Sequence, residues 1–241
     1  MVPVYCLTYR NPERRAKMAE RFATAGMEFS FCESPDALDP EYAPPADIME
    51  RAELSGTWKA KAWSCMSGHY KIIEQIAVSN RDLAIICEDD IMIRRDFAQV
   101  LPAIIANFQT YKLDMLLLGY LSTDIPATSN YALPEAIPTF GYYHYHEHIW
   151  GTQMYMISKK HAQFLLTHYG SEYAVASLLN PEMTPWAADH IITKTGNRAL
   201  ISPQLAVEQG EITDPDAVNA DIHVQYHRDC HLVNYLTEVH I

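Results

Sequence analysis

Apolar runs of strand length recur along this chain, each set beside a stretch of helical period, and that alternation confines it to few architectures. VPVYCLT (residues 2–8) reads as a buried strand. NPERRAKMAERFATAG follows as a helix, with Asn11 as cap, Pro12 in the first turn and Gly26 as the stop. AWSCMSGHYKIIEQIAVSN places Cys65, His69, Ile72, Ile73 and Ile76 on one helical stripe and leads into a second strand, DLAIIC. DFAQVLPAIIANF has helical spacing at Phe97, Leu101, Ile104, Ile105 and Phe108, with a kink or restart expected at Pro102. KLDMLLLGYL is a further buried strand. YYHYHEHIWGTQMYMI ends in a strand-like run, SKKHAQFLLTHYG and TPWAADHIITKTG read as helices, and ALISPQLAVEQ as a short strand region. Between Ser34 and Gly56, clustered Pro, Asp and Ser predict mostly loop, with a short helix near ADIMERAEL. The expectation is an α/β sandwich on a mixed, mainly parallel central sheet, a single domain over residues 1–241 with 205–241 as a C-terminal flank.

Composition narrows the partners. The formal net charge is −12 and basic residues gather only in pairs such as Arg14-Arg15 and Arg94-Arg95, which argues against nucleic acid. The opening MVPVYCLTYR lacks the basic flank and apolar core of a leader, and no apolar stretch nears the roughly 20 residues that cross a bilayer. A soluble, cytoplasmic protein is expected. Five cysteines, Cys6, Cys32, Cys65, Cys87 and Cys230, without CxxC pairing, fit reduced core thiols.

LAIICEDDIM carries the chemistry. Three carboxylates, Glu88, Asp89 and Asp90, end a buried strand, and ligands of open α/β sheets sit beyond the carboxyl ends of the strands. Adjacent anions raise one another's pKa unless a cation offsets them, and hard carboxylate oxygens select Mg²⁺ or Mn²⁺. Side chains alternate along a strand, so Glu88 and Asp90 face one way and Asp89 the other. A solvated acidic turn at the start of the next helix is the competing reading, and the motif alone leaves both open. Asp189 in WAADH, expected at the start of a helix facing the sheet edge, is a candidate general base or acceptor-binding acid. Its alternative is a surface ion pair. Asp114 is a second candidate whose strand context favours a structural role. Thr8, Arg10 and Arg14 stand where the first strand ends, and a backbone glycine at Gly151 with Thr152 would let a ligand approach closely. His69, on an apolar stripe, reads as a satisfied core histidine.

An ordered set of segments resembles glycosyltransferase family 25, the lipopolysaccharide-type and collagen-type galactosyltransferases. They are CLTYRNPERRAKM, CMSGH, IICEDD, GTQMYMISKKHAQFLL, AADHII, ISPQLAVEQ and ADI, spanning about Val4 to His223. Gly68, Ala220 and the Tyr9-Arg10 pair depart from the family pattern. The resemblance implies a GT-A-like, Rossmann-type sandwich. It also implies a metal-dependent inverting transfer of a hexose, galactose or glucose, from a UDP-sugar to a hydroxyl of a glycan acceptor. On that reading Mn²⁺ or Mg²⁺ is held by Glu88 and Asp90, with His223 or His227 as a third ligand. Thr8, Arg10, Arg14, Glu88, Asp89, Gly151 and Thr152 contact the donor, and Asp189 acts in catalysis.

Two other classes compete. His144, His146 and His148 alternate, and on an extended strand they would share a face, the basis for a metallohydrolase; alternate residues nearly 7 Å apart fit a tetrahedral ion poorly. Trp58, Trp63, Trp150 and Trp186 would equally suit a catalytically silent carbohydrate-binding module. His223, His227 and His231 recur at four-residue spacing, which a helix would line up on one face.

Overall fold

A computed structural model describes residues 2–36, 39, 43–52, 58–121, 140–145, 147–209 and 235. In chain order the elements are β1 (Val4–Thr8), α1 (Pro12–Thr24), β2 (Ser30–Glu33), α2 (Ala46–Arg51), α3 (Trp58–Val78), β3 (Leu83–Glu88), β4 (Ile91–Ile93) and α4 (Phe97–Thr110). They continue with β5 (Met115–Leu121), β6 (Gly141–Tyr143), β7 (Trp150–Ser158), α5 (Lys159–His168), α6 (Ser171–Leu179), α7 (Ala188–Ile191), β8 (Arg198–Ser202) and β9 (Ala206–Glu208). A seven-stranded sheet has the order β2-β1-β3-β7-β5-β8-β6, and β4 pairs with β9 in a small second sheet. Pairing makes β1, β2, β3, β5 and β8 run one way and β6 and β7 the other, the mixed, mainly parallel sheet that the sequence predicts.

Both faces of this sheet are covered, which is why its strands read as continuous apolar runs. On one face Cys6, Ile85, Cys87 and Met156 pack with Met18 and Phe22 of α1 and with Phe97, Ile104 and Phe108 of α4. On the other, Ala84, Ile86, Leu117 and Tyr155 pack with Met66, Ile72, Ile73 and Ile76 of α3 and with Leu165 of α5. α1 begins as predicted, with the Asn11 side chain accepting from the Arg14 amide, and Gly26 follows it at φ +67°.

Three expectations are corrected. α4 runs unbroken through Pro102, which lies on its exposed face, where water can take the carbonyl that loses its partner. TPWAADHIITKTG forms only the four-residue α7, because the Thr193 and Thr195 hydroxyls bond back to the Asp189 and Ile191 carbonyls and Gly196 takes φ +77°. The histidine row does not lie on one strand: β6 stops at Tyr143, and residues 147–148 form a turn whose Glu147 is tied to Arg198. His146, His223, His227, His231 and Cys230 lie outside the described residues. No helix among the described residues is long and apolar enough to cross a membrane.

The reversed strand β7 sits between β3 and β5, so its first residues arrive at the edge where those two strands end. β9 passes close behind: a Cβ built at Gly119 would lie 2.7 Å from the backbone oxygen of Ala206. Gly119→Ala should therefore cost about 1–3 kcal/mol. For a chain of this length that lowers the thermal midpoint by roughly 2–4 °C per kcal/mol. An unchanged midpoint in thermal denaturation would show that β9 yields freely.

Candidate functional site

Glu88 closes β3, and Asp89 and Asp90 form the turn into β4. That turn is held from two ends of the chain. The Gln209 amide donates to the Asp90 carbonyl at 2.7 Å. The buried guanidinium of Arg21, on α1, donates to the Ile91 carbonyl at 2.8 Å and to the Gln209 side chain at 2.7 Å.

The expected alternation of side chains is realised. Glu88 and Asp90 face a cavity of about 250 Å³, with Cys65, Gly151, Thr152, Asp189 and Glu208 also in its wall. Asp89 turns toward β1, where it accepts from the Thr8 hydroxyl at 2.7 Å and from Arg14 at 3.4 Å. Arg14 also reaches Asp90 Oδ2 at 3.1 Å. A wider cavity of about 640 Å³, lined by Thr8, Tyr9, Arg14, Ser34 and Asp36 among others, shares Cys65, Glu88 and Asp90 with the first. The acidic turn thus stands where two recesses meet.

Three of the four carboxylates in the wall of the smaller cavity, Glu88, Asp90 and Asp189, are tuned differently. Burial pushes Glu88 up, but His69, the Thr152 hydroxyl at 2.6 Å and Arg14 outweigh it and hold the group below its ordinary range. Asp90 is pushed up to about 7, by burial first and the charge of Glu88 second, with Arg14 offsetting only part. Its Oδ1 is buried and has no hydrogen-bond partner among the described residues. Asp189 stands at the start of α7 and accepts from the Gly151 amide at 3.2 Å; burial and then Glu88 raise it to about 6.

Gly151 takes φ +100°, a conformation that favours glycine, and a Cβ there would run into the Gln153 side chain. Thr152 holds Glu88 rather than facing open space. Arg10 lines neither cavity; its exposed side chain pairs with Asp36 at 3.2 Å. Asp114 lies before β5, at the opposite edge of the sheet, and accepts from the Asn197 amide at 2.9 Å, a structural role. His69 is fully buried with Nδ1 3.0 Å from the Tyr155 hydroxyl, as a core histidine should be, yet its Nε2 faces Glu88 at 3.5 Å. Sequence reasoning missed Cys65 and Glu208 as cavity residues. The stripe that carries Cys65 and His69 and the strand ending VEQ held both signals.

Residues 6–179 match Glycosyltransferase family 25 (LPS biosynthesis protein). The chain belongs to this family. Its members' chemistry makes it a glycosyltransferase. A search of curated protein sequences finds no match. Among solved structures, one similar chain is a glycosyltransferase involved in the glycosylation of the major capsid of PBCV-1, at 10% identity over 95% of this chain and 100% of that one, with a TM-score of 0.40. Another is an apo UDP-glucose pyrophosphorylase, at 10% identity over 95% and 99%, with a TM-score of 0.39. The assignment rests on the family match alone.

Asp189 supplies a test of the site's electrostatics. Its folded pKa is raised, so the neutral form stabilises the fold, and that contribution is lost as pH rises from the ordinary value near 4 through about 6. Asp189→Asn keeps an oxygen for the Gly151 amide and never ionises. Denaturant melts should show the variant more stable than wild type at pH ~8, by up to roughly 3 kcal/mol, with the difference gone below pH ~4. A variant less stable at both pH values would refute the buried-charge reading.

Proposed function

We propose that this glycosyltransferase moves galactose or glucose from a UDP-sugar to a hydroxyl of a glycan acceptor, with inversion and with Mn²⁺ or Mg²⁺. The observation that carries the reading is the convergence of Glu88, Asp90 and Asp189, from separate elements, on one cavity at the carboxyl ends of the parallel strands. The unpartnered Asp90 Oδ1, beside Glu88 and Glu208, belongs to an oxygen donor set of the kind hard divalent ions take. Glu88 and Asp90 would hold the ion, with His223 as the proposed third ligand. When bound, such an ion offsets the negative charge that develops on a diphosphate leaving group.

The chain's own residues divide the remaining work. The wider recess takes the nucleotide, with Thr8 fixing Asp89 and Arg14 presenting a cation to the phosphates. Arg10, turned to Asp36, serves at most the rim. Gly151 leaves room for the sugar, and Thr152 keeps Glu88 oriented. As the acceptor hydroxyl attacks the anomeric carbon opposite the departing UDP, Asp189 accepts its proton. A base raised to about 6 is mostly unprotonated at neutral pH and still basic enough to share a proton in the transition state.

A thermal-shift panel of UDP- and GDP-sugars, with and without Mn²⁺, tests the donor site. A ligand at a hundred times its Kd adds about 2.7 kcal/mol, a rise of roughly 5–10 °C here. We expect a Mn²⁺-dependent rise with one UDP-hexose, absent in Asp90→Ala. No rise with any nucleotide-sugar would refute the donor assignment. Asp189→Asn should keep that rise while kcat falls by about 10²–10⁴; an active variant would remove Asp189 from proton transfer.

A further inference from the structure

We propose that Cys65, His69 and Glu88 form a thiophilic metal site for Zn²⁺, which shares Glu88 with the hard-oxygen site at Asp90 and differs from it in its sulfur and imidazole ligands. Cys65 and His69 are four residues apart on α3, one turn above the other on the same face. β3 brings Glu88 to that face. The Cys65 sulfur, a His69 ring nitrogen and a Glu88 oxygen all lie within 4.8 Å of one another.

His69 makes the stronger half of the case. Its side chain is fully buried, and among the described residues Nε2 makes no well-formed hydrogen bond, facing the Glu88 carboxylate at the long distance of 3.5 Å. The Tyr155 hydroxyl at Nδ1 fixes the ring so that Nε2 aims at Glu88 Oε1, 3.5 Å away. Such an outer hydrogen bond is what orients a metal-ligating imidazole. A histidine serving only the core would close both nitrogens with short hydrogen bonds, whereas Nε2 here stands 3.5 Å from its carboxylate. Ligands of a tetrahedral ion with bonds of about 2.0–2.3 Å stand roughly 3.5 Å apart. His69 and Glu88 already meet that spacing, and from within 4.8 Å the thiol needs to close by up to about 1.3 Å.

Cys65 opens onto both recesses, which gives an entry path and a fourth, water-accessible position. Sulfur and imidazole favour Zn²⁺ over Mg²⁺ and Mn²⁺. Binding transfers the Cys65 proton to solvent as the sulfur–metal bond forms. It also draws Glu88 away from the oxygen set around Asp90, so zinc opposes the hard ion. The site itself does not depend on the donor assignment.

Co²⁺ alone, titrated into the metal-free full chain at neutral pH under reducing conditions, reads the site by absorption. We expect a near-ultraviolet sulfur-to-cobalt charge-transfer band and intense tetrahedral visible bands at one equivalent, abolished by Zn²⁺. The charge-transfer band should vanish in Cys65→Ser, with unchanged far-ultraviolet circular dichroism, and persist in Asp90→Asn. His69→Gln should weaken Co²⁺ binding at least ~10-fold while keeping the thiol. Absence of the band in wild type, or its survival in Cys65→Ser, overturns the proposal. Failure of the donor panel with the cobalt band present would refute only the transfer mechanism.

Discussion

One reversed strand decides where everything else in the site can stand. A fully parallel sheet would bring only strand carboxyl ends to the ligand edge. β7, inserted antiparallel between β3 and β5, brings an amino end there as well, and pairs Cys87 with Met154 in a register that sets Thr152 beside Glu88. The same strand carries Gly151, whose amide holds Asp189, and Tyr155, whose hydroxyl holds His69. Shifting β7 by one residue would turn each of these side chains to the other face.

The electrostatics follow from that crowding. Glu88 collects a hydroxyl and a nearby imidazole and stays ionised, while Asp90 and Asp189, just as enclosed, are raised by burial and by the charge Glu88 keeps. On the proposed mechanism, acids with such different proton affinities divide the work between holding a cation and accepting a proton. The arrangement opposes folding stability, as sites built for reaction commonly do.

Much of this was legible in the sequence because it was local. The apolar runs marked the strands, Asn11, Pro12 and Gly26 bounded α1, and EDD at a strand end marked the ligand edge. Asp189 was expected at the head of a helix facing the sheet edge and stands in the cavity wall, and Thr8 and Arg14, expected where the first strand ends, line the wider recess. What escaped depended on tertiary contact. Pro102 was tolerated because it faces water, the helix after Asp189 was cut short by threonines bonding to their own backbone, and the histidine row was broken by a turn. Cys65 and Glu208 reach the cavity only through the packing of α3 and the pairing of β9 with β4, which neighbouring residues do not encode.

The clasp between Arg21 and Gln209 spans 188 positions of sequence. During synthesis the acidic turn emerges early, but the strand that fastens it arrives only after more than a hundred further residues. Until then Asp90 has neither the Gln209 amide on its carbonyl nor Glu208 as a neighbour. The acidic turn gains its folded geometry late in translation, and a chain cut short before β9 would carry the acidic sequence without the contacts that hold it.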